Sequence, residues 1–224
     1  MAKKAGAAVA ASSAIERTFQ LAVPIRGDDG KEWSALTLQE PLLRHRVEAQ
    51  RRKSATETER TIVILSALSG ASEAALRRMK SRDARKVSAW LDSLQVSARQ
   101  ADDLADAAEQ NDVVSGSALP LERTFQLLVP IDVPGAPVTS VTVREPDLEA
   151  GIAVERMQSP GEQTAALIAS CAGLVIPVVM RMSLRDVARL ERWFDFFFDA
   201  GIDMPAETAE TLPASTDGVT WPSA

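Results

Sequence analysis

The sequence predicts an α+β protein built from two tandem copies of a small unit, each an N-terminal β-hairpin followed by three to four helices. Three observations carry this reading. "IERTFQLAVPI" (15–25) returns as "LERTFQLLVPI" (121–131), with nine of eleven positions identical. In the first string large apolar residues alternate with polar or small ones, the period-two signature of a strand. Further along both copies an apolar helical stretch follows a capping box and stops at a glycine. Similarity sustained over about 80 residues marks a duplicated structural unit.

In the first copy Phe19, Leu21, Val23 and Ile25 form one face of the opening strand. "RGDDGK" (26–31) reads as a hairpin turn and "SALTL" (34–38) as the returning strand. The second copy returns through "TSVTV" (139–143), whose β-branched residues suit a strand. "LQEP" (38–41) answers to "VREP" (143–146), and Pro41 and Pro146 open a helical region.

"TETE" (56–59) and "SPGE" (159–162) then fit capping boxes, in which an N-cap hydroxyl accepts a backbone N–H and the glutamate reaches back. The helices behind them run to Gly70 and Gly173. Their middles, "TIVILSAL" and "TAALIASC", are apolar nearly all round, so each is the central buried helix of its copy. A short connection leads to a last amphipathic helix, from about Arg82 to Leu94 and from about Leu184 to Phe198. Met79 matches Met182, "RD" at 82–83 matches 185–186, and Trp90 matches Trp193. The insertions and deletions between copies fall in turn-like stretches, where they are tolerated.

The chain thus divides into a disordered N-terminal tail (1–14), a first unit (15–94) and an acidic segment (95–120) that extends a helix before becoming a linker. A second unit (121–200) and a disordered C-terminal tail (201–224) complete it. The single cysteine, Cys171, allows no intramolecular disulfide and fits a reducing compartment. The uncharged run Thr164–Met180 contains Gly173 and Pro177 and is shorter than the about 20 residues of a membrane span, so it reads as a buried helix plus a connection.

Catalytic chemistry is scarce. The only histidine, His45, stands on a basic helix where the second copy has Ala150, and reads as a surface residue. Cys171 matches Leu68, a packing position, and no charge lies within six residues of it, whereas a reactive thiol wants a basic, partly exposed setting. One Cys and one His cannot make a zinc site, and neither a P-loop nor a dinucleotide fingerprint occurs. Asp83 and Asp186 read as first-turn acids favoured by the helix dipole. The expectation is a non-enzyme without cofactor, metal or small-molecule substrate.

Charge and aromatics point instead to macromolecular contacts. Residues 15–94 carry 15 Lys/Arg against 11 Asp/Glu, and residues 121–200 carry 7 against 11. The basic helix with Arg44, Arg46, Arg51 and Arg52 therefore either meets the acidic copy, or is a solvated face, or reads a phosphate backbone. The overall charge of −6 and the lack of interleaved aromatics argue against nucleic acid. "WFDFFF" (193–198) replaces "WLDSLQ" (90–95). Trp193, Phe194, Phe196, Phe197 and Phe198 cover about 200° of a helix, more than one core face needs. With Trp90 and the four arginines, these aromatics are the candidate protein-interaction residues, extra core being the plainer explanation of the aromatic excess.

A hairpin with "L-x-V-P-I", "EP" after the second strand, a capped apolar helix ending in Gly and an Asp-led amphipathic helix ending in aromatics resembles the tail assembly chaperone family of Mu-like and related contractile-tailed bacteriophages. Both copies match, whereas the usual member carries one unit. The resemblance implies a non-catalytic protein of the host bacterial cytoplasm that binds the tape-measure protein and helps tail-tube subunits assemble around it. The alternatives are a structural tail or baseplate component retained in the virion, and a nucleic-acid-binding regulator using the basic helix.

Overall fold

The computed structural model describes residues 14–110 and 121–199. The expected tails, apart from residue 14, and the linker at 111–120 lie outside the described residues, as do the side chains of 99–110, Phe196 and Asp199.

Each unit opens with an antiparallel hairpin, β1 (Arg17–Arg26) with β2 (Glu32–Leu38) and β3 (Glu122–Ile131) with β4 (Val138–Arg144). The two hairpins form separate two-stranded sheets. Each contains the same irregularity. Between the Gln20↔Ala35 and Ile25↔Trp33 pairs β1 advances five residues while β2 advances two, and β3 does the same against β4 between Gln126 and Ile131. The surplus residues bulge out of the ladder, and their N–H groups need partners elsewhere.

The helices of the first unit are α1 (Leu43–Arg51), α2 (Glu57–Ser69), α3 (Glu73–Leu76) and α4 (Ser81–Gln110). Those of the second are α5 (Leu148–Glu155), α6 (Pro160–Ala172), α7 (Ile176–Val179) and α8 (Leu184–Asp199). Thr56 and Ser159 cap α2 and α6 by accepting the Glu59 and Glu162 N–H groups. Gly70 and Gly173 end these helices at φ +69° and +63°, a left-handed conformation that glycine adopts without steric cost. Helix α4 continues well past Leu94, so the first half of the acidic 95–120 segment belongs to it.

Two cores result. In the first, Ile25, Leu36 and Leu38 from the hairpin pack with Ile62, Leu65 and Leu68 of α2 and with Val87, Trp90 and Leu94 of α4. The second repeats this with Phe125, Ile131, Val141 and Val143, with Ile168 of α6, and with Val187, Leu190 and Trp193 of α8. Phe19 meets Trp90 edge-on at 5.5 Å, and Phe125 meets Trp193 at 6.4 Å. Leu43 and Val47 of α1 are also part of the second core, although α1 belongs to the first copy by sequence.

Candidate interaction surfaces

The buried residues of α1 are Leu43, His45, Val47 and Ala49. At 100° per residue, Leu43 and Val47 share one face, and His45 and Ala49 lie on the opposite one. The helix is therefore packed on two sides, against α2 of its own unit and α6 of the other.

Its first turn is tied to the second unit through the backbone. The Leu43 N–H donates to the Met182 carbonyl at 2.9 Å and the Arg44 N–H to the Met180 carbonyl at 3.0 Å. In return the Leu184 N–H donates to the Pro41 carbonyl at 2.8 Å. Helical N-termini leave such donors without internal partners, and here the other unit supplies the acceptors.

Side chains reinforce the joint. Glu40 accepts from Arg185 Nε and Nη2, both at 3.0 Å, and from the Ile15 N–H at 2.9 Å. Both members of this fork-shaped ion pair are buried. Arg46 donates to Glu191 at 2.6 Å and to Thr164 at 3.1 Å. Arg51 pairs with Glu162 at 2.9 Å. The Gly161 N–H donates to Gln50 Oε1 at 2.6 Å. A Cβ at Gly161 would come within 2.9 Å of Val47 Cγ2, so the absent side chain lets α1 approach α6. The basic helix thus meets the acidic unit. Arg52 turns back to Glu73 of its own unit at 2.7 Å, and Arg44 is solvent-exposed.

His45 departs from the expectation of a surface residue. It is buried, and its Nδ1 accepts the Leu42 N–H at 3.1 Å, so the side chain caps the helix from inside. His45 lies on the side of α1 opposite Leu43 and Val47, and its counterpart Ala150 is buried as well although the outer side of α5 is open. Burial and, secondarily, the Arg44 guanidinium push the His45 pKa down to about 4, leaving the ring neutral at pH 7.

In the second unit the partner-facing side of the matching helix is open. Leu148 and Ile152 stand where α1 has Leu43 and Val47, and they are 90% and 51% exposed against 0% and 2%. Ala150, the counterpart of His45, faces inward and is buried.

The aromatic candidates separate by depth. Trp90, Trp193 and Phe194 are core side chains. Phe197 is half-buried, its ring 4.6 Å from Trp193. Phe198 is 56% exposed, and the Phe196 side chain lies outside the described residues.

The repeated "RD" and "EP" motifs have roles that sequence reasoning missed. Asp186 accepts the Leu128 N–H at 2.8 Å and the Val129 N–H at 3.2 Å, and Asp83 accepts the Ala22 N–H at 3.0 Å. Each aspartate therefore pins its hairpin's bulge to the last helix, a stronger demand than the helix dipole alone. Burial raises the Asp186 pKa in spite of these bonds. The arginine of the second "RD" and the glutamate of the first "EP" make the buried cross-unit pair. The presence of both motifs in both copies was the available signal.

Burial pushes the Cys171 thiol up to about 11, which disfavours the thiolate a nucleophile needs. Among the described residues no group of three or more His, Cys, Asp or Glu is placed to hold a metal ion, and no helix is long and apolar enough to cross a membrane.

The family model described as "Phage tail assembly chaperone proteins, E, or 41 or 14" matches residues 18–95 and again residues 124–199. No curated protein and no solved structure matches. The two family matches cover most of the chain and coincide with the two hairpin-and-helix units, so the protein belongs to the phage tail assembly chaperone family as a tandem duplication.

Proposed function

We propose that this tail assembly chaperone acts by binding the phage tape-measure protein without catalysis, in the host bacterial cytoplasm, while tail-tube subunits assemble around it. The carrying observation is the exposed Phe198, at the end of α8 and next in sequence to Phe197, which meets Trp193 edge-to-face. The first unit has Gln95 at the matching position, so the shared fold has no need of an aromatic there. A tape-measure protein is a long helical chain whose apolar stripes require shielding until the tube surrounds it. A rigid aromatic on an acidic unit suits such a stripe. The nucleic-acid reading finds less support, because Arg46, Arg51 and Arg52 are engaged by carboxylates.

The test is co-expression with the tape-measure protein followed by affinity capture, comparing wild type with Phe198→Gln. The tape-measure protein should co-purify with wild type and be largely lost with the variant, since an interface aromatic commonly contributes about 2 kcal/mol or more. The melting temperature should hardly change, because the side chain is largely exposed. Failure of the wild-type chain to retain the tape-measure protein, or its presence in purified virions, would contradict the reading.

A further inference from the structure

We propose that the open face of α5 docks on the first unit of a second copy of this chain, repeating between molecules the contact that α1 makes within one. The internal contact is one-sided. Helix α1 packs on α6, whereas no comparable packing joins α5 to α2. A two-fold arrangement of the units would have satisfied both. A head-to-tail arrangement leaves a docking helix at one end and an empty receiving surface at the other.

Both ends carry the chemistry of the internal joint. On the docking side Leu148 and Ile152 replace Leu43 and Val47, Glu145 replaces Glu40, and Arg156 replaces Arg51. On the receiving side Arg82 stands for Arg185 and Glu59 for Glu162. The buried Glu40–Arg185 pair would thus recur as Glu145 with Arg82, and Arg51–Glu162 as Arg156 with Glu59. Glu145 and Arg82 are exposed, and neither has an ion-pair partner among the described residues. The carbonyls of Arg77 and Met79, counterparts of Met180 and Met182, accept no inter-element backbone hydrogen bond among the described residues. They are available to the Leu148 and Glu149 N–H groups.

Three substitutions make the contact between molecules weaker than the internal one. Thr58 stands where Gly161 admits α1, and Gly151 with Ser88 replaces the Arg46–Glu191 pair. The expected assembly is reversible and concentration-dependent.

Sedimentation equilibrium of the purified full chain, without any tail protein, tests this separately from tape-measure binding. Wild type should associate as its concentration rises. Glu145→Arg and Arg82→Glu should each weaken association by at least about tenfold. The two changes combined in one chain should restore it, because the pair re-forms with its charges exchanged. Mixing the two single variants should also restore association, as alternating chains, since each variant's docking helix is charge-matched to the other's receiving surface. Leu148→Asp should abolish association while leaving the melting temperature unchanged. A wild-type chain that stays monomeric, association indifferent to these variants, or a double variant that fails to recover would overturn the proposal.

Discussion

Helices α1 and α5 occupy the same place in two copies of one unit, yet α1 is sandwiched between the units while the outer side of α5 faces solvent. The exposure of Leu148 against Leu43, and of Ile152 against Val47, measures the difference. Duplicating a unit within one chain creates one junction and leaves two free ends, and the copies have diverged around that junction. Arg46 and Arg51 meet Glu191 and Glu162 there. Gly161 has no side chain where its counterpart is Thr58. The opposite net charges of the copies therefore have a local use.

The largest effect should come from Glu40→Gln, which removes one partner of a buried ion pair and leaves the Arg185 charge uncompensated. A loss of about 3–5 kcal/mol is expected in chemical denaturation, whereas Glu145→Gln in dilute solution should stay within about 0.5 kcal/mol. Next comes Leu43→Ala, at about 2–5 kcal/mol for a core truncation, against a near-neutral Leu148→Ala. If the members of either pair proved equal, α1 would not be the joint.

A smaller effect separates His45 from Ala150. The folded-state pKa of about 4 lies below the unfolded value near 6.5, so the unfolded chain takes up the proton first as pH falls. The stability of the neutral buried ring is fully present above about pH 6.5 and is lost as pH falls toward about 4, by about 3 kcal/mol. Urea denaturation at pH 7 and pH 4.5 should show this fall in wild type on top of the carboxylate contribution. The fall should be shallower in His45→Gln.

The hairpins, the helix caps and the glycine stops were legible because neighbouring residues specify them. The Thr56–Glu59 box and Gly70 need only their own helix to be recognised. The pairing of Glu40 with Arg185 was not legible, because it depends on a residue far away in the chain, and the capping of Leu42 by His45, though local, was hidden by reading the helix as a solvated basic face. "RHRVEAQRRK" looks like a solvated basic face until α6 is placed beside it, and only then does the spacing of Leu43 and Val47 mean burial. The aspartates were placed correctly in the first turns of α4 and α8, but their partners lie in a bulge that strand periodicity does not reveal. The aromatic run was visible as an excess, while the division between core Phe194 and exposed Phe198 required the packed unit.

Residue-resolved amide hydrogen exchange in dilute solution tests the asymmetry most directly. The Leu43 and Arg44 amides, which donate to Met182 and Met180, should be strongly protected and should open only when the units separate or the chain unfolds. The matching Leu148 and Glu149 amides should exchange orders of magnitude faster. Equal rates at the two sites, or fast exchange at Leu43 and Arg44, would contradict a joint built on α1.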